Sequence, residues 1–222
     1  MVSGLCCAQY SNHQLYEAYT TRDMSVWENY IDSADWDRLD TEQRKQLLNY
    51  EYGFTAYMLG VDVEKSKQLI QRLETHIEQM KSALPEERYY VYLASVYIYR
   101  LALNKNQLMK YAKIIYNHVE RAMELNPNDP FVLSMQGNVE FYSPFGSKKT
   151  ALGYFQKADS LYAIAGADYE RWNRRAVQMA YIHCLSKQRK KNEAIALCES
   201  LLAEEPQNVN FQQLLEQLHA AN

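Results

Sequence analysis

The groups in this 222-residue chain able to hold a metal or move a proton are 5 His, 4 Cys and 27 acidic residues. His13, His76, His118, His183 and His219 are scattered, with no His-x3-His or Cys-x2-Cys pair. Metal-ligand spacing is therefore absent, and no metal is expected. His183 beside Cys184 suggests a nucleophile and its base, but neighbouring helical residues point about 100° apart and do not face one another. The acid pairs Glu86/Glu87 and Glu204/Glu205 are accounted for by helix-end charge bias and a solvated turn. With no Gly-x-Gly-x-x-Gly, phosphate loop or Gly-x-Ser-x-Gly elbow, the chain reads as a non-enzyme without catalytic residues or cofactor. Cys184 and Cys198 read as buried small hydrophobes and not a disulfide, their redox state being left open.

These groups sit in a chain that is 47% apolar with only 7 Gly and 5 Pro, which suits long helices joined by short connections. Its formal charge is −3 with both signs interspersed, which gives no electrostatic case for nucleic acid or an anionic membrane. The run from Lys187 to Lys191 reads as a solvated loop between helices. No apolar stretch is long enough to span a bilayer, so no integral membrane segment is expected. The opening MVSGLCCAQ reads either as the tail of a secretory signal cleaved after Ala8 or as a disordered leader. Residues 1–10 are accordingly set apart from a single domain over 11–222. The first alternative places the protein in the periplasm or cell envelope of a bacterium, the second in the cytoplasm.

In chain order, residues 12–32 predict one or two short helices breaking near Thr21, and residues 33–40 a connector whose Trp36 lids the core. A helix over 41–59 with Leu47, Leu48, Tyr52, Ala56 and Leu59 on one stripe pairs with another over 63–83, capped by Asp62. Pro85 with Glu86 and Glu87 opens the next helix. Its run YYVYLASVYIYRLAL has strand propensity, but its length without a turn signal decides for helix. Residues 107–125 return antiparallel to it. Further hairpins are predicted from 131–142 with 149–165 and from 168–185 with 192–203, and a final capping helix from 208–220.

The stretch from Ile115 to Tyr162 organises the rest. Its ERAMELNPNDP ends one helix at Pro127 and starts another just after Pro130. Gly137 follows, and then Ala151, Phe155 and Ala158. This resembles the tetratricopeptide repeat, whose second helix carries Ala-x3-Phe-x2-Ala and closes on a proline. Ala194, Cys198, Leu201 and Pro206 repeat the spacing, as do Ile115, Val119, Ala122 and Pro127. With the missing middle proline placed at Ala163, the steps between closing positions are 36 and 43 residues, against a family period of about 34. The resemblance is therefore to a degenerate array with lengthened units. It implies an all-α, right-handed superhelix of antiparallel helical hairpins, each packing on its neighbours.

In such an array the first helices line a concave face. If Gly53, Ala94, Gly137 and Ala180 mark the tight helix contacts, the inward residues are Tyr50, Phe54 and Tyr57, then Arg88 and Tyr99. Asn138 and Tyr142 follow, then Arg174 and Tyr181. This wall offers aromatic faces, rim hydroxyls and two guanidiniums suited to a carboxylate; filling space between helices is the competing role for each tyrosine. The resemblance implies a protein or peptide in the groove. A small molecule enclosed by the same tyrosines is the alternative.

Overall fold

The computed structural model describes residues 10–220, so the expected leader falls almost wholly outside the described residues. Eleven α-helices follow in order among them: α1 Asn12–Thr21, α2 Met24–Ser33, α3 Thr41–Met58, α4 Val63–Gln79, α5 Glu86–Leu103 and α6 Leu108–Leu125. Then come α7 Pro130–Tyr142, α8 Lys148–Ala165, α9 Arg171–Lys187, α10 Lys191–Glu204 and α11 Val209–Ala220. Short 3-10 turns precede α3, α6 and α9, and no strand occurs among the described residues. The helix-over-strand decision for α5 thus holds across its full 18 residues.

The helix starts follow from local chemistry. Asp40 accepts the Gln43 amide at 2.9 Å while the Gln43 side chain accepts the Asp40 amide at 3.0 Å, closing a capping box ahead of α3. Asp62 caps α4 through the Lys65 amide at 3.0 Å, as its sequence position predicts. Pro85 lies one position earlier than a first-turn proline, as the residue before α5. The two loops that close on Pro127 and Pro206 end alike. Asp129 takes the amides of Phe131 and Val132 at 2.8 and 3.1 Å, and Asn208 takes those of Asn210 and Phe211 at 3.2 and 3.4 Å.

The chain divides into two compact units. Unit 1 comprises residues 10–11 and Met24–Pro127 of the described chain, with α2 through α6. Its helices pack in sequence, α2 on α3, α3 on α4 and so on, with α3 also reaching α5. The interior is aromatic: Trp27 and Tyr30 meet Tyr50 edge to face at 4.8 and 5.5 Å between centroids. Trp36 does cover the structure here, lying flat on His76 at 3.7 Å.

Unit 2 comprises Asn12–Asp23 and the described residues from Asn128 onward. The α7/α8 hairpin is its tightest pair. A Cβ on Gly137 would sit 2.6 Å from the Phe155 ring, so only glycine admits that contact. Ala151, Phe155 and Ala158 are all fully buried, as are Ala194 and Cys198 on α10. Cys184 and Cys198 are both free and buried, in line with their reading as small hydrophobes.

The first helix departs from the expected nearest-neighbour order. Although α1 is the first helix of the described residues, it belongs to unit 2 and packs on α9 and α11. Its apolar side, Leu15, Tyr16 and Ala18, meets partners about as far off in sequence as the chain permits. The rule that every helix buries its face only on the adjacent hairpin fails here.

Candidate functional site

The strongest concentration of polar chemistry lies where α1, α9 and the end of α10 meet in unit 2. Arg175 is 8% exposed. It donates from Nε to the Tyr16 hydroxyl at 3.0 Å, from Nη2 to Glu205 Oε1 at 2.6 Å and from Nη1 to Gln178 Oε1 at 2.8 Å. The Tyr16 hydroxyl in turn donates to Glu205 at 2.5 Å. Arg171 lies 4.0 Å over the Tyr16 ring, and Asn210 donates to the Tyr19 carbonyl at 2.8 Å. Burial alone would raise the Glu205 carboxyl, but hydrogen bonds from Arg175, Tyr16 and Asn208 outweigh it and hold the pKa below its ordinary value. Burial would also discharge Arg175, yet its bonds to Glu205 and Tyr16 keep its pKa raised. The cluster is a satisfied ionic lock that fixes α1.

Beside it runs a half-open cleft of about 340 Å³, lined by residues from Tyr162 to Arg174. Its floor is shaped by Gly166, where a Cβ would come 2.7 Å from the Tyr162 carbonyl oxygen. The following turn is closed by the buried Glu170 carboxylate, which accepts the Ala167 amide at 3.0 Å. Arg171 and Arg174 project from the first turn of α9 along one wall, with Asp168 opposite in charge.

Unit 1 carries a second cleft, about 420 Å³, lined by Asp32, Asp62, Glu64, Lys65, Gln68, Leu69 and Arg72. Behind it Glu51 is buried at 2% exposure, with His76 Nδ1 at 2.8 Å and Arg72 Nε at 3.3 Å. Arg72 also reaches Asp32 at 3.0 Å, and Lys65 pairs with Glu28. Arg44 holds the Trp36 carbonyl at 3.1 Å, keeping the indole stacked on His76. Sequence reasoning missed both clusters, because their central pairs, Glu51 with His76 and Arg175 with Glu205, stand 25 and 30 residues apart and no short motif connects them.

The residues expected on one concave wall are dispersed. Tyr50 and Phe54 are 1% exposed and belong to the core of unit 1. Tyr99 is also buried, donating its hydroxyl to the Tyr52 carbonyl at 3.0 Å, and burial pushes its pKa well up. These three are corrections to the expected wall, and the reason is geometric. Tyr50 and Phe54 lie about 60° and 100° round α3 from Gly53, and Tyr99 about 140° round α5 from Ala94, all inside the broad buried arc of a core helix. Tyr57 remains half open, stacked on Phe54. Arg88 is half-buried and already engaged. Arg174 lines the cleft and donates from Nε to Asp159 at 2.8 Å, so one edge of its guanidinium is held. Asn138 is half-buried, and so is Tyr181, whose hydroxyl is pushed up in pKa first by burial and then by Glu193. Tyr142 is 70% exposed at the end of α7.

Among the described residues no group of His, Cys, Asp and Glu is arranged to hold a metal, and no helix is long and apolar enough to cross a membrane. No protein-family model and no curated protein matches the chain in sequence. Solved structures match it in fold. The HusA haemophore from Porphyromonas gingivalis is similar at a TM-score of 0.62 and 18% identity, over 84% of this chain and 96% of that one. A thermophilic TPR protein from Thermus thermophilus is similar at 0.57 and 15% identity, over 94% and 95%. Successive antiparallel helix pairs, a second-helix stripe buried at Ala151, Phe155 and Ala158, and these likenesses make the chain, in fold, an all-α tetratricopeptide-like helical-repeat protein.

Proposed function

We propose that the chain is a non-enzymatic binding module that holds a segment of another protein or a peptide, and that the Arg171/Arg174 cleft of unit 2 takes part. The observation that supports this is the character of that cleft: half open, built from charged side chains and backbone, and set beside a fixed ionic lock. An extended segment needs an open-ended surface with polar anchors, whereas small-molecule sites are mostly enclosed and apolar. Arg171 is the anchor best placed to respond, since it is exposed and stacked on Tyr16. Selection of displayed peptides on the immobilised chain is expected to enrich one sequence family, and Arg171→Glu to weaken its binding at least about tenfold, the loss of a charge-assisted contact. Enrichment that ignores this substitution removes the cleft from the reading, and no enrichment removes the peptide.

A second reading is favoured by the likeness to a haemophore. Unit 1 holds the His118 imidazole between the Tyr90 and Tyr97 rings at 5.7 and 5.9 Å, and burial lowers its pKa. A neutral ring in an aromatic stack suits a flat apolar ligand. Titration with haemin, followed by its Soret band, is expected to show a His118-dependent shift on this reading, and an unchanged spectrum excludes it.

A further inference from the structure

The one end of unit 2 formed by the α7–α8 and α9–α10 turns combines exposed aromatics with a dense positive charge. Lys148 and Lys149 begin α8, Lys187 ends α9, and Arg189, Lys190 and Lys191 lead into α10. The two turns are tied together: the Cys184 thiol and the Gln188 side chain both donate to the Lys148 carbonyl, at 3.1 and 2.8 Å. Five of these cations are exposed, and Lys191 is half-buried. Lys191 has a partner of its own, and two acidic side chains at these turns are occupied. Glu193 pairs with Lys190, and Glu140 accepts from the Ser147 amide at 2.7 Å and from Gln136.

Folding explains only part of this placement: Lys187 ends α9, where the helix dipole favours a cation. Lys148, Lys149 and Lys191 lie in the first turns of α8 and α10, where the helix dipole disfavours cations. Arg189 adopts a φ of 62°, a conformation that glycine or asparagine takes with less strain. Among the cations stand two large rings in water, Tyr142 at 70% and Phe145 at 71% exposure. Phe145 is not on a loose loop. Its amide donates to Ser143 Oγ at 3.1 Å, the Gly146 amide to the Ser143 carbonyl at 3.2 Å, and a Cβ on Gly146 would strike the Glu140 carbonyl. Phe141 braces Tyr142 edge to face at 4.7 Å.

We propose that this end of unit 2 docks on an anionic phospholipid bilayer, with Phe145 and Tyr142 entering at headgroup level and the surrounding cations meeting lipid phosphates. Aromatic side chains favour the membrane–water interface, and a basic cluster is drawn to anionic lipid. A nucleic acid would match the charge as well. It does not account for a rigid apolar tip flanked by cations from two separate turns, which is the form of a shallow insertion into a plane. This surface is separate from the Arg171/Arg174 cleft in its residues and stands independently of the peptide reading.

The test is flotation of the full chain with phosphatidylcholine vesicles, with and without phosphatidylglycerol. The chain is expected to float only with the anionic vesicles, and less as salt is raised. Lys149→Gln and Arg189→Gln are each expected to weaken binding roughly fivefold, and Phe145→Ala at least about tenfold. All three side chains are exposed, so an unchanged circular dichroism melt separates lost docking from lost folding. Failure to float, equal flotation with neutral vesicles, or parental flotation by Phe145→Ala overturns the proposal. So does retention of duplex DNA under conditions where anionic vesicles are ignored.

Discussion

Units 1 and 2 solve the same packing problem with different materials. Unit 1 fills its interior with large rings, Trp27, Tyr30 and Tyr50, and satisfies a buried hydroxyl on backbone, as Tyr99 does on the Tyr52 carbonyl. Unit 2 instead brings α7 and α8 together through Gly137, Ala151 and Ala158 around the Phe155 ring, which Phe141 meets edge to face. It then adds an ionic lock, Arg175 with Glu205 and Tyr16, to hold a helix from the far end of the sequence. A small-residue seam fixes the distance between α7 and α8 tightly, and the family's Ala151, Phe155 and Ala158 stripe is kept there although the unit is lengthened. An aromatic interior instead lets rings of this size bridge wider gaps between helices.

The contrast can be broken most directly at Phe155. Replacing it with Ala removes the ring that packs against Gly137 in the α7/α8 seam and is expected to cost about 3–5 kcal/mol, measured as a drop in the urea midpoint of the full chain. A loss below about 1 kcal/mol would mean that the seam collapses freely and that the close fit at Gly137 carries little.

The next largest effect tests the lock. Glu205→Gln leaves the buried Arg175 guanidinium without its main counter-charge and is expected to cost about 3 kcal/mol, with faster amide exchange along α1. The sign of the pH dependence follows from the lowered Glu205 pKa. A carboxyl depressed in the folded state stabilises fully above its ordinary value of 4.5 and loses that contribution as pH falls through the folded pKa. The stability gap between parent and variant should therefore close on acidification below pH 4.5. A gap that persists there places the effect in packing and not in charge.

The smallest effect sharpens the account of unit 1. Tyr99→Phe keeps the ring and removes the hydroxyl bonded to Tyr52, which is expected to cost about 1 kcal/mol. No change in the melt would show that the rings alone hold that interior.

Much of this was legible in residue order. The stripe of Ala151, Phe155 and Ala158, the cap at Asp62, the helix break at Pro127 and the small contact residue Gly137 are all local signals, and each is found where its spacing predicts. The candidate wall was less so. Tyr50, Phe54 and Tyr99 have an apolar body and a polar tip or none, and periodicity shows that such residues share a face without showing what that face meets. The Glu51/His76 pair and the Arg175 lock leave no local trace, since their partners lie on different helices.

By itself the sequence determined the helices, their ends and their pairing into hairpins, because capping and a 3.6-residue stripe act over a few residues. Only the tertiary structure decided that α1 serves unit 2, that three expected groove residues are core, and that Lys148 and Lys149 join the Lys187 to Lys191 run beside Phe145. Such contacts join positions tens to nearly two hundred residues apart, and no local periodicity encodes which distant face a helix will cover.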